Sequence, residues 1–252
     1  MGYVACIVAA APLRADASHR SEMVSQLLFG EFAKVLDTSK EFTKVAGLYD
    51  SYEGWCQTSQ LTAVTEEDTQ LPVAGYTFSK DTVALVNNTE VPLSIATPVY
   101  GGGVTHQWGP YSVSYSPAFL KMQPFDEVIT RQLAMPYLNV PYLWGGRSSF
   151  GLDCSGFTQQ VMKMMGIKML RDASQQALQG RVVDFLQEVK CGDLAFFDND
   201  DKKITHVGIM LNPGEIIHAS GRVRIDKMDN SGILNSDTGQ RTHKLRVVKR
   251  IW

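Results

Sequence analysis

At 252 residues the chain is longer than one ordinary domain of about 100–150 residues, which makes about two or three folding units the expectation. Hydrophobic residues make up 44% and charged residues 20%, a globular balance, and a net charge of -2 offers nothing to draw nucleic acid or an anionic membrane. The 21 glycines and 10 prolines point to many turns and a large β component.

The opening stretch "YVACIVAAAPLR" is apolar and partly β-branched, and its first cationic side chain, Arg14, follows the apolar run instead of preceding it. It therefore reads as a first strand and not as a secretory leader. No later segment approaches the roughly 18–20 uninterrupted apolar residues of a membrane span. The chain reads as soluble: cytoplasmic as it stands, periplasmic or extracellular if a leader has been removed. Residues 1–62 continue as short strands in "EFAKVLDTSKEFTKVAGL" and "GWCQTSQL". One piece, "SHRSEMVSQLLFGE", has helical spacing, with Ser21 as a cap ahead of Met23, Leu27 and Leu28. Residues 63–122 again alternate strands and turns, through the Asn-Asn turn and triple glycine of "LVNNTEVPLSIATPVYGGG". Two small β-barrels are the expectation. "GGGVTHQWGPYSVSY" lacks a following helix and the GK[ST] of a phosphate loop, so it reads as a turn.

The texture changes near Pro124. "PFDEVITRQLAMPYL" has a 3.6-residue period with Asp126 and Glu127 at its start, where a helix dipole favours acids. "CSGFTQQVMKMMG" is a second helix stopped by Gly166, and "DASQQALQGRVVDFL" is a third candidate. The methionines of "VMKMMGIKML" fit a core-facing stripe. "DLAFFD", "ITHVGIML", "EIIHAS" and "RVRID" then alternate as strands, so residues 123–252 form an α+β unit of helices packed on an antiparallel sheet.

The chemistry concentrates on Cys154. At the first turn of a helix a thiol faces unpaired N–H groups, and this lowers its pKa from about 8.5 toward 3.5–7.5. A nucleophile also needs a base and an orienting group. His206 and His218 lie on two strands joined by "NPGE". A two-residue turn at Pro213-Gly214 would put their rings on opposite faces; an odd loop or a bulge would bring them together. Cys6, Cys56 and Cys191 show no motif and read as packing residues. His19, His106 and His243 sit in polar stretches and read as solvated. No cysteine or histidine spacing resembles a metal site.

"YLWGGRSSFGLDCSGF", "GDLAFFD", "THVGIML" and "IIHAS" together resemble the signature of NlpC-type cell-wall peptidases, papain-like enzymes with a Cys-His-His triad. The resemblance spans some 80 residues and implies Cys154 as nucleophile, His206 as base and His218 as orienter. Tyr142 matches a tyrosine beside the nucleophile. It implies no cofactor and no metal. The whole chain is similar to a subgroup with two N-terminal bacterial SH3-like barrels, which cleaves the γ-D-glutamyl–diamino acid bond of stem peptides carrying a free N-terminal L-Ala. On that likeness the first barrel forms a cleft wall, and Glu22, Tyr52, Asp153 and Asp172 surround the substrate's ammonium. Ser155 and Trp144 complete the pocket. Where many relatives have serine after the second aspartate, this chain has Ala173. The expected enzyme is a monomeric cysteine peptidase acting on L-Ala-γ-D-Glu-diamino acid peptides in cell-wall recycling or turnover. Two other readings stay open: an acyltransferase or amidase on the same scaffold, and a catalytically silent wall-binding protein.

Overall fold

A computed structural model describes residues 2–101, 103–115 and 118–252; Gly102 of the triple-glycine turn lies outside the described residues. The chain divides into two compact units. One runs to Met122 and includes Trp144–Phe150; the other comprises Gln123–Leu143 and Gly151–Trp252.

The N-terminal unit opens with seven strands: β1 (Tyr3–Cys6), β2 (Ala10–Arg14), β3 (Met23–Leu28), β4 (Phe32–Ser39), β5 (Phe42–Gly47), β6 (Glu53–Gln57) and β7 (Leu61–Val64). They form one sheet in the order β3-β2-β6-β5-β4-β1-β7. Alternation along them sends Val4, Cys6, Leu13, Leu27, Val45 and Cys56 into a common core. The segment expected as a helix is β3. Its residues from Ser25 to Leu28 are all buried and pair with β2, Leu28 opposite Ala10, and this pairing overrides a merely plausible helical spacing.

Six shorter strands follow: β8 (Val73–Tyr76), β9 (Val83–Val86), β10 (Thr89–Pro92), β11 (Pro98–Tyr100), β12 (Thr105–Trp108) and β13 (Tyr111–Tyr115). They pair as β10-β9-β13-β12 and β11-β8. Their aromatic residues do not make a private core. Tyr100, Trp108 and Tyr115 close on Phe29 and Phe32 of the first sheet region, with Phe32 edge-on to Trp108 at 5.4 Å. The excursion Trp144–Phe150, with the two-residue strand β14 (Arg147–Ser148), is tied into the same unit. Buried Arg147 forks onto Glu31 at 2.9 and 3.1 Å, and its N–H donates to Gln26 Oε1 at 2.7 Å. Ser149 N–H donates to Ser94 Oγ at 2.8 Å.

The C-terminal unit carries β15 (Gly151–Leu152) and three helices, α1 (Glu127–Ala134), α2 (Cys154–Met164) and α3 (Ala173–Gln176). Asp126 caps α1 by accepting from the N–H of Val128 and Ile129. Of the third expected helix only the single turn of α3 exists; Gly180, at φ +71°, ends the segment before a strand begins. The strands are β16 (Arg181–Val183), β17 (Leu194–Asp198), β18 (Ile204–Asn212), β19 (Glu215–Ser220), β20 (Arg222–Asp229), β21 (Gly232–Leu234) and β22 (Arg241–Arg250). Antiparallel β22 pairs with β17 on one side and with β16 and β21 on the other, closing β17 to β22 into a ring around Ala195, Phe197, Met210, Ile216, Ile233 and Val248. The molecule is thus an α+β fold, strand-rich first and helices-on-sheet second. Among the described residues no helix is long and apolar enough to cross a membrane.

Candidate active site

Both ends of α2 are fixed by local chemistry. Asp153 has extended backbone, and its Oδ1 accepts from the Gly156 N–H at 2.7 Å, which starts the helix at Cys154. At the other end Gly166, at φ +74°, lets its own N–H reach Lys163 O and that of Ile167 reach Met162 O, a Schellman closure. α2 packs on β18 and β19, and the backbone N–H groups of Val207 and Ser155 lie against the Cys154 sulfur and favour its thiolate. The expectation of a depressed thiol pKa is nevertheless corrected. Burial, with the adjacent Asp153 charge second, outweighs those dipoles and pushes Cys154 up to about 12. The resting group is a protonated thiol.

The base side is organised by a bulge. Pro213-Gly214 does form a two-residue turn, with Asn212 opposite Glu215, but the ladder slips at Leu211, so Met210 faces Ile216 and Gly208 faces His218. The extra residue puts His206 and His218 on one face, diagonal to each other. Leu211 O, which the slip leaves outside the ladder, accepts from Arg131 of α1 at 3.1 Å. His206 Nε2 then lies 2.8 Å from His218 Nδ1, and His218 Nε2 lies 2.9 Å from Asp226 Oδ2. All three side chains are buried. Burial opposes the Asp226 charge, yet hydrogen bonds from His218, Arg224 and the Ser236 N–H hold its pKa well below the usual carboxylate range. An ionised carboxylate only accepts, so His218 Nε2 carries a proton; in the singly protonated form of that ring Nδ1 accepts and His206 Nε2–H donates. Nδ1 of His206 is left with its lone pair. Burial, then His218 and His243, hold His206 far below its ordinary pKa, so its ring is neutral.

Asp153, expected at the substrate's amine, has another partner. The guanidinium of Arg171, 1% exposed, forks onto its two oxygens at 3.0 and 2.7 Å and also donates to Ser155 Oγ at 2.9 Å. Asp172 precedes α3 and is half-buried. Tyr142 is half-buried in the neighbourhood of Cys154; burial and the adjoining Cys154 and Asp153 push its hydroxyl pKa up, keeping it a donor. Its main chain is fixed by an N–H to Gly221 O bond of 3.0 Å. A cavity of about 300 Å³ opens here, with Tyr142, Thr205, His206, Ser220, Gly221 and His243 in its wall.

Three further expected site residues belong to the N-terminal unit. The structure joins two of them: Trp144 Nε1 donates to Glu22 Oε1 at 2.6 Å, although Trp144 itself is 61% exposed. Tyr52 is half-buried, its N–H bonded to Asp50 Oδ1 at 3.0 Å. The sequence reading missed Asp226, Arg171 and His243. His243 is not a solvated side chain: its ring stacks on His206 at 4.1 Å and 26°. "RVRID" held a visible acid, but only register shows that Asp226 lies diagonal to His218. Cys6, Cys56 and Cys191 are buried free thiols. Among the described residues no group of His, Cys, Asp or Glu is arranged to hold a metal ion.

Residues 139–242 match the model of the NlpC/P60 family, and residues 13–61 that of the bacterial dipeptidyl-peptidase SH3 domain. A gamma-D-glutamyl-L-lysine dipeptidyl-peptidase of Bacillus subtilis is 31% identical over 217 residues, 77% of this chain and 71% of the relative. The chain belongs to the NlpC/P60 family. Members of that family are hydrolases of the cysteine-peptidase type, and the chain is one of them. A protein of the same name from Bacillus cereus is 37% identical over 112 residues, 42% of this chain but only 33% of that relative. The fold is also that of a solved NlpC/P60 family protein from Bacillus cereus, 20% identical, with a TM-score of 0.80 and 99% of each chain covered.

Proposed function

We propose that this peptidase hydrolyses the γ-D-glutamyl–diamino acid bond of peptidoglycan stem peptides whose N-terminal L-Ala is free, releasing L-Ala-D-Glu during wall-peptide recycling or turnover. The observation that carries this reading is the Cys154 thiol at the head of α2 beside β18, the strand on which His206 begins a buried chain of contacts to His218 and Asp226. Cys154 attacks the γ-carbonyl as its proton passes to His206 Nδ1. N–H groups at the start of α2 and the Tyr142 hydroxyl stabilise the oxyanion. His206 then gives the proton to the leaving amine and later activates water against the thioester. His218 and Asp226 hold the tautomer and accept the charge that develops on His206.

Selection of the free amine is assigned to carboxylates. Asp153 is engaged by Arg171, so in this reading it sets the helix start and the charge beside Ser155. Glu22, which accepts from the Trp144 indole, and Asp172 are the carboxylates assigned to the ammonium, and Tyr52 is assigned as a hydroxyl partner. The names of the bacillary relatives support the γ-glutamyl bond.

The test incubates the chain with L-Ala-γ-D-Glu-diaminopimelate, the lysine analogue and N-acetylated versions of both. Only the free-amine peptides are expected to release L-Ala-D-Glu, and Cys154→Ala is expected to abolish release. Equal cleavage of acetylated peptides would remove the amine reading, whereas turnover by Cys154→Ala would remove the mechanism.

A further inference from the structure

Beside the catalytic histidines lies a third ring that the mechanism above leaves idle. His243 sits on β22, and β17 runs between β22 and β18. Its ring lies nearly parallel to that of His206, 4.1 Å away at 26°. Phe197, from the intervening strand, meets both rings, at 5.7 Å for His206 and 5.9 Å for His243. His218 approaches edge-on at 5.8 Å, and His243 Nδ1 is 2.8 Å from Thr242 Oγ1.

A histidine ring turns freely about its last torsion unless something holds it. One hydrogen bond, Nε2–H to His218, fixes a single atom of His206 and leaves the ring able to pivot about that bond. A flat neighbour at van der Waals distance blocks the pivot. We propose that His243 is a positioning residue for the general base, a neutral plate that keeps His206 in the plane from which Nδ1 meets the Cys154 thiol. This rests on the reading of His206 as that base.

The electrostatics agree. His206 becomes cationic once it takes the thiol proton, and a charged ring stacked on it would oppose that step. Burial, and then His218, hold His243 down to about 4, although the Asp226 carboxylate pulls the other way; the remaining titratable group in the shared cavity wall is the Tyr142 hydroxyl. The plate is therefore neutral across the range in which the enzyme would work.

The experiment separates this inference from the substrate assignment by omitting the peptide. Iodoacetamide alkylates a thiolate, forming the S–C bond as iodide departs, with the thiol proton taken by the base. The rate at Cys154, located by peptide mass mapping, is compared at pH 7 in the full chain and in His206→Ala, His243→Leu and His243→Phe. Expected are a near-complete loss in His206→Ala, a drop of about tenfold in His243→Leu, and recovery to within about threefold in His243→Phe, which restores the flat face. Peptide turnover by His243→Leu should then show lowered kcat with KM unchanged. A wild-type alkylation rate in His243→Leu, with His206→Ala unreactive, would overturn the inference while leaving the catalytic reading intact. A raised KM with kcat unchanged would also overturn it, since His243 would then be a pocket wall. Wild-type alkylation in His206→Ala would remove both. Melting curves of the two His243 variants separate a lost plate from a lost fold: equal Tm with unequal alkylation is the supporting pattern, and alkylation that merely follows Tm overturns it.

Discussion

Gly208 shows how much of the site depends on what is missing from a side chain. It stands opposite His218 in the ladder, and a methyl at that position would lie 2.7 Å from both His218 Cβ and Ile216 Cδ1. The empty position lets the His218 imidazole lie across toward His206. Gly208→Ala is accordingly expected to lower kcat on the order of tenfold or more while leaving substrate affinity unchanged; steady-state kinetics would read the split, and an unchanged kcat would contradict it. In the proposed mechanism Asp226 acts two hydrogen bonds from the reacting atoms, by fixing which nitrogen of each ring carries a proton. Asp226→Asn keeps the shape but cannot impose that order, so a loss on the order of 10²-fold in kcat is expected, with wild-type KM. Neither residue could be singled out from the sequence. Cys154, His206 and His218 stand in recognisable strings, whereas Gly208, Asp226 and His243 acquire meaning only from strand register, which no local pattern encodes.

The meeting of His206 and His218 is an element-level property of β18 and β19. Their pairing gains one residue at Leu211, and a single-residue slip exchanges the faces of everything beyond it. Deleting Leu211 is expected to send the His206 ring to the opposite face from His218 and to abolish turnover. Rescue by reinserting alanine at that position is the check, because the backbone count matters and the leucyl side chain does not. The sequence permitted this outcome without choosing it: "NPGE" allowed a tight turn, and only the companion bulge brings the histidines together. Helices were legible where both ends carry signals, as α2 does with Asp153 and Gly166. β3 was not, because "SEMVSQLLFGE" satisfies a helical spacing in isolation and its fate was decided by pairing with β2 upstream. The single turn of α3 shows the same limit, since Gly180 ends a pattern that composition alone would have extended.

For the whole molecule, pH is the informative variable. His206 and His243 are both held below their ordinary value of 6.5, mainly by burial, so the folded chain binds fewer protons than the unfolded chain once the pH drops under that value. Stability is complete above about pH 6.5 and declines as the pH falls toward 4, the window in which the unfolded histidines are charged and the folded ones are not. Thermal melts between pH 7.5 and 4.5 should therefore show a falling Tm, and His243→Phe should flatten part of that fall. Activity should follow a different curve. With His206 neutral and Cys154 protonated up to about 12, neither group limits kcat/KM near neutrality. The substrate's own α-amine, with a pKa of about 7.7–8.0, should set the alkaline limb if its ammonium is what the enzyme selects. A profile flat to pH 10 would speak against that selection. At the largest scale the ion pair of Arg147 and Glu31 is buried, and Arg147→Ala should cost about 3–5 kcal/mol by taking the cation from a buried carboxylate, measurable by denaturant unfolding.

Arg147 also bears on heredity. The chain leaves the C-terminal unit after Leu143, makes its seven-residue visit to the N-terminal unit, and re-enters at Gly151, three positions before Cys154. No single genetic junction can therefore lift the catalytic part out whole. A fragment beginning near residue 123 would carry an arginine evolved to meet Glu31 and a tryptophan evolved to hold Glu22, with neither acid present. Recombination that swapped N-terminal units between relatives would have to preserve these stitches, so the two units are expected to descend together as one cassette.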